Sequence, residues 1–488
     1  MSSVRFRPLI AILLAVLPLV AGCGDEAGSG PEGASVAPAS AELFLSVDTS
    51  FDSSRWKTAG DLVAKFPDGD KTLDLLFGQL AGRGLDFSRD IKPALGPETD
   101  VVGLDLAGKG EFVGLTQPKD VGKLKALLAR SDEQFVTREV DGWTAFSDSP
   151  AVLDKFESAR ADGSLADSSE FQDAMSAVEG DAIGRLYLNG AALQQTIQRD
   201  PNVPPDALGA LVPSGKLPSV ALSLRAEEGG VRLEGAAKLA GDEGGVFTEP
   251  FKAELPEEVP AGALLYLDFN DLGSRLKALR DVIAEAAPDV DRDLARIEHE
   301  VGVSLDEDVF PLFSGESAVY VRPGLLIPEV TLITHVDDEQ AAMATVGKLV
   351  KALREYYPAL GSETDVQIDG VTAKEVPLGV PLALYYAAFD GHLVVTTSRE
   401  GIAALREHDN RLADDSGFKS ALDEAGVPGE TTGFGYVDLK AAIPYVLGFM
   451  GGGSPAQAGA NLEPLDHLVF YGTKDGRTVR FTGFLAVH

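Results

Sequence analysis

The sequence predicts an α+β protein built from two homologous repeats, each a mostly antiparallel sheet with helices on one face. Three observations lead there. Short runs of alternating apolar residues are joined by Asp141-Gly142, Asp369-Gly370, Asp390-Gly391 and Asp475-Gly476, and Asp-Gly accepts the positive φ angles of a tight hairpin turn. Amphipathic helical stretches separate the hairpins, the mix expected of antiparallel sheets covered by helices. Finally, a series of segments recurs in the same order in the two halves of the chain.

That recurrence is the strongest organisational signal. Pro38-Ala39-Ser40-Ala41-Glu42-Leu43-Phe44-Leu45 matches Pro260-Ala261-Gly262-Ala263-Leu264-Leu265-Tyr266-Leu267. Asp90-Ile91-Lys92-Pro93-Ala94-Leu95 matches Asp308-Val309-Phe310-Pro311-Leu312-Phe313, with Glu98 opposite Glu316. Asp141 to Ala145 then pairs with Asp369 to Ala373, Leu165-Ala166-Asp167 and Phe171 with Leu412-Ala413-Asp414 and Phe418. Leu186 to Asn189 pairs with Gly435 to Asp438, and Gly230-Val231-Arg232-Leu233 with Thr478-Val479-Arg480-Phe481. The order never breaks. Predicted boundaries are a first repeat at 38–240, a Gly/Glu/Pro-rich linker at 241–258 and a second repeat at 259–488.

Each repeat opens with an alternating strand (Leu43 to Val47; Leu264 to Phe269) and an amphipathic helix (Trp56 to Phe66; Leu276 to Ala286). Pro67-Asp68-Gly69-Asp70 and Pro288-Asp289-Val290-Asp291 cap a second helix. Strands follow at Asp100 to Leu106 and Ser317 to Val321, then at Glu111 to Thr116 and Val330 to Thr334. A helix succeeds each set, at Val121 to Leu128 and Glu339 to Arg354.

Ahead of the repeats, Arg5 and Arg7 precede the apolar run Leu9 to Gly22, which ends at Cys23. A bilayer core needs about 20 apolar residues to span, so this shorter run reads as a signal segment, 1–22. Val20-Ala21-Gly22-Cys23 resembles a bacterial lipoprotein cleavage site. That resemblance implies cleavage before Cys23, acylation of its sulfur, and an extracytoplasmic protein anchored to a bacterial membrane. Residues 23–37, rich in Gly, Ser, Ala, Pro and acidic groups, read as a flexible tether.

Cys23 is the one cysteine, so no intramolecular disulfide is available. The net charge of −34 repels phosphate backbones and excludes nucleic acid as a partner. A lipobox, two strand-helix modules and a closing hairpin together resemble the bacterial envelope family known as domain of unknown function 3352. The resemblance implies no catalytic residues.

Candidate chemistry is sparse. His299, His335, His392, His408, His467 and His488 all lie in the second half, which rules out a duplicated histidine site. Their spacing shows no paired zinc ligands, and no metal or other cofactor is expected. Asp289, Asp291, Asp293 and Glu300 mimic a calcium loop, but Leu294 stands where its glycine belongs. A role at the positive end of a helix is the favoured account of those carboxylates. No Gly-x-Ser-x-Gly elbow or complete phosphate loop is present. The apolar run Ala441 to Met450 offers Tyr445, Phe449 and Met450 as ligand-binding candidates. The expectation is a non-catalytic, membrane-anchored envelope lipoprotein that binds a small apolar molecule or scaffolds an envelope protein. The alternative is an extracytoplasmic hydrolase using paired carboxylates.

Overall fold

A computed structural model describes residues 30–69, 85–199 apart from 107, 109, 132, 133 and 179, then 216–239, and 249–488 apart from 287, 325, 326, 358, 381, 408 and 450–454. The strands of the first half are β1 (Leu43–Asp48), β2 (Glu98–Asp105), β3 (Glu111–Thr116), β4 (Val136–Val140), β5 (Trp143–Ser147), β6 (Gly184–Leu188), β7 (Val220–Glu227) and β8 (Gly230–Lys238). Those of the second are β9 (Leu265–Asn270), β10 (Glu316–Arg322), β11 (Glu329–His335), β12 (Thr364–Ile368), β13 (Val371–Val380), β14 (Leu382–Phe389), β15 (His392–Thr396), β16 (Gly433–Asp438), β17 (Leu465–Asp475) and β18 (Thr478–Val487). Helices are α1 (Ser54–Ala64), α2 (Val121–Leu128), α3 (Pro150–Arg160), α4 (Ser169–Met175), α5 (Gly190–Arg199), α6 (Leu272–Ala286), α7 (Pro288–Val301), α8 (Glu339–Tyr356), α9 (Arg399–Arg406), α10 (Ser416–Ala425), α11 (Leu439–Phe449) and α12 (Pro455–Leu462). Mostly antiparallel strands with many helices make the class α+β.

All 18 strands join one continuous sheet. In the first half β2, β1, β6, β7 and β8 are neighbours in that order. In the second, β10, β9, β16, β17 and β18 follow the same order. The halves meet edge to edge through β8 and β18, where Thr478 faces Lys238 and Ala486 faces Gly230. Glu234 and Thr482, which the sequence match makes equivalent, face each other at the centre of this seam. A pairing centred on equivalent residues is what a local twofold requires. It also covers the edges that β8 and β18 would otherwise leave as bare rows of backbone groups.

Helices cover both faces, which corrects the one-face expectation. Successive strand residues point to opposite faces, and pairs such as Val101-Val102 and Leu393-Val394 are buried on both. On one face of the first half, Phe44, Val102 and Tyr187 pack against Phe156 of α3 and Phe171 of α4. On the other, Val47, Val101 and Phe146 pack with Trp56 of α1 and Leu124 of α2. The second half repeats this. Tyr266, Val394, Ile402 of α9 and Phe418 of α10 share one cluster; Tyr386, Leu393 and Val346 of α8 share the other. A bare second face would leave side chains worth about 1.5–3 kcal/mol each in water.

One aromatic trio anchors the first face of each half. Phe171 meets Phe44 edge-on at 5.9 Å and Tyr187 at 5.1 Å. Phe418 meets Tyr266 at 6.1 Å and Tyr436 at 5.1 Å in the same edge-on manner. Edge-to-face geometry places positive ring edges on negative ring faces.

The described parts of the predicted flexible tether and of the predicted linker are packed. In the predicted tether, Glu32–Ser35 forms a helical turn, and Ala34, Val36 and Ala37 are buried. In the predicted linker, Phe251 bridges Thr431 and Leu255 and Pro256 are buried, as is Val259 at the start of the second predicted repeat. Both straps lie over the sheet because a half-buried glutamate binds their backbone.

Candidate functional site

That glutamate heads β2 and β10. Glu98 accepts hydrogen bonds from the Gly33 N–H at 2.8 Å and the Glu32 N–H at 3.3 Å. Glu316 accepts from the Leu255 N–H at 2.8 Å and the Glu254 N–H at 2.9 Å. Beside each stands a fully buried aspartate, Asp100 or Asp268. The two aspartates come from different strands. Asp100 lies on β2 opposite Ser46 of β1, whereas Asp268 lies on β9 opposite Ala318 of β10. The strap residue is exchanged accordingly. A Cβ on Gly33 would sit 1.7 Å from Asp100 Oδ2. Where Ala318 replaces that aspartate, the bulky Leu255 fills the strap position.

Burial pushes Asp268 up to about 8, helped by the negative charge of Glu316. Asp100 rises well above the usual carboxylate range, from burial and then from Glu98. Both glutamates are also raised by burial, but their two backbone N–H donors pull in the opposite direction. In each pair the aspartate is therefore the partner pushed more strongly toward its protonated form, with the glutamate beside it as acceptor. The Tyr266 hydroxyl donates to Asp268 Oδ2 at 2.5 Å. Charge on the glutamate is stabilised by backbone dipoles, and the proton removes the cost of burying a second charge.

This chemistry suits an internal clasp. Neither aspartate is exposed to a substrate. Paired carboxyls for glycoside hydrolysis stand about 5–9.5 Å apart, while these lie within hydrogen-bond reach of each other. A polar cleft of about 390 Å³, lined by Glu254, Ser314, Glu316, His335 and Asp337, opens beside the second pair.

An apolar cavity of about 240 Å³ lies between α10, the 251–257 strap and the loop 427–431. Phe418, Leu422, Phe434 and Ala253 wall it, and its charged lining is Lys252, Glu257 and Lys419, the last 3.4 Å from Asp414. For scale, a cavity of about 150 Å³ accommodates benzene, and drug-sized ligands need about 300–1,000 Å³. The space fits a ring or a short chain, not a diacyl lipid.

The candidates taken from sequence lie elsewhere. Tyr445 on α11 is tied to Gly324, accepting from its N–H at 3.0 Å and facing its carbonyl at 3.2 Å. It is absent from the cavity lining. The Phe449 side chain, Met450 and Cys23 fall outside the described residues. Asp289 and Asp293 pair with Arg292 and Arg296 along exposed α7, and Asp291 lies in its first turn. Asp289 and Asp291 act as helix-start charges, whereas Asp293 lies beyond the first turn. Sequence reasoning aligned Glu98 with Glu316 but missed the aspartates, because a partner that changes strand leaves no matching column. It also gave no reason to join His467 and His488, which the fold brings together beside Glu424.

These features define, among the described residues, an α+β protein with clasped straps and a small apolar cavity. The chain belongs to the family of proteins of unknown function DUF3352, whose model matches residues 116–455. No curated protein matches the chain. Among solved structures, crystal forms III, IV and I of TP0453 are similar at 11%, 15% and 12% identity. They cover 44%, 46% and 44% of this chain and 82%, 76% and 81% of that one, with TM-scores of 0.22, 0.22 and 0.23. A superposition at that level carries no argument about fold or role. No described helix is long and apolar enough to cross a membrane.

Proposed function

We propose that this is a non-catalytic, membrane-anchored extracytoplasmic lipoprotein whose second half binds a small, largely apolar ligand with one negative charge. The cavity walled by Phe418, Leu422 and Phe434, with Lys252 and Lys419 at its lining, carries the reading. Aromatic and aliphatic walls favour an apolar body, and ammonium groups favour an anionic head. We further read the halves as products of a duplication, with boundaries near 38–240 and 259–488. The seam centred on Glu234 and Thr482, the recurring aromatic trio and the two clasped straps support it.

Naphthalene-1-sulfonate, a fluorescent fused apolar ring bearing one sulfonate, is a suitable probe. Leu422→Trp fills the cavity and is expected to weaken fluorescence-detected binding at least tenfold. Val446→Trp, on the half-exposed surface of α11, is expected to leave it unchanged. The opposite pattern would move the site to α11.

The anchor has its own test. Cys23→Ser is expected to release the protein from the membrane fraction and remove the acyl mass from its N-terminal peptide. Two buried chains, at about 0.8 kcal/mol per methylene, hold a protein far more firmly than one. An unchanged mass and distribution would refute lipidation at this residue.

A further inference from the structure

We propose a divalent-cation site, suited to Zn²⁺, formed by Glu424 Oε2, His467 Nε2 and His488 Nε2. The three donor atoms lie within 4.8 Å of one another. Glu424 Oε2 is 3.3 Å from His488 Nε2 and 3.8 Å from His467 Nε2. Zinc bonds of about 2.0–2.2 Å in a tetrahedron separate ligands by roughly 3.3–3.5 Å, so small side-chain rotations close the set around one ion.

His467 supplies the independent observation. Its side chain is 4% exposed, and its buried Nε2 has no hydrogen-bond partner. Its Nδ1 lies 3.0 Å from Asp466 Oδ1. A carboxylate only accepts, so Nδ1 carries the proton and Nε2 presents its lone pair toward Glu424 and His488. An aspartate behind a histidine ligand sets tautomer and ring orientation in metal sites generally. Glu424 is braced too: its Oε1 accepts from the Ser420 hydroxyl at 3.0 Å, which leaves Oε2 for the ion.

The histidines come from β17 and the end of β18, where Leu465 faces Val487 across the hairpin. Glu424 comes from the last turn of α10. His488 is half exposed and Glu424 partly so, which gives an ion an entry path and leaves a fourth position for water. Three protein ligands with one open position is a recurrent zinc arrangement. Bound there, the cation ties α10 to the hairpin that forms the seam between the halves.

The test titrates Zn²⁺ into chelator-stripped full-length protein by calorimetry, with Mg²⁺ as control, and then records the visible spectrum with Co²⁺. One saturable Zn²⁺ site is expected, with intense four-coordinate Co²⁺ bands and no comparable Mg²⁺ binding. The exposed ligands permit variants that keep the fold, verified by circular dichroism. His488→Ala and Glu424→Gln are each expected to weaken Zn²⁺ binding at least tenfold. Asp466→Asn, at a positioning residue, is expected to weaken it about 10–100-fold while the Co²⁺ bands shift. No saturable Zn²⁺ binding, weak octahedral Co²⁺ bands, or affinity indifferent to His488→Ala and Glu424→Gln would each overturn the site.

Discussion

Gly33→Ala is expected to destabilise the protein by about 1–3 kcal/mol, the usual range for overpacking a close-packed interior. The added methyl has no room, because it would stand 1.7 Å from Asp100 Oδ2. The strap cannot retreat without giving up the Gly33 and Glu32 N–H bonds to Glu98. Asp100→Ala in the same background is expected to restore most of the loss, since Ala318 beneath Leu255 shows that the small-over-large arrangement packs. Urea unfolding of both single variants and the double variant closes the cycle. A coupling of about 1 kcal/mol or more is expected for residues in contact. Additive effects would mean that the strap does not rest on this carboxyl.

Asp268→Asn is expected to stabilise the protein increasingly as pH rises. Asparagine keeps the geometry: its carbonyl accepts from Tyr266 and its amide donates to Glu316, as the protonated acid does. In the parent, the folded aspartate holds its proton up to about pH 8, while an unfolded one releases it near pH 4. Between those values the folded state binds more protons, so parent stability falls with rising pH. Its contribution is fully present below pH 4 and lost as pH climbs through about 8. The stability difference between variant and parent should grow by about 1.4 kcal/mol per pH unit across this window, then level off. Comparing the two proteins at each pH cancels the titration of the other acidic groups. A difference that stays flat would show that Asp268 is ionised in the folded state.

Much of this architecture was readable from residues alone. Asp-Gly turns at 141–142, 369–370, 390–391 and 475–476 carry positive φ at both glycine and aspartate except at Asp475, as the chemistry of tight turns demands. The strands beginning near Leu43 and Leu264 and the helices at Val121–Leu128 and Glu339–Tyr356 follow from their periodicity. The strap at 30–37 departs from the expected flexible tether because Gly, Ala and Pro composition signals mobility unless something binds the backbone. Glu98 and Glu316 do bind it, from strands about 60 residues further along. Helices on a second face were likewise missed. Consecutive apolar pairs such as Val101-Val102 signal burial on both faces only once their neighbours across the sheet are known.

Patterns that act over a few residues, turn chemistry, apolar period and recurring words, were sufficient for the α+β class and the order of elements, because local backbone preferences decide them. The acid clasps, the apolar cavity, the seam between β8 and β18 and the meeting of Glu424 with His467 and His488 depend on long-range register. Each joins groups far apart in the chain, and their proximity comes from strand pairing and close packing, which no local preference encodes.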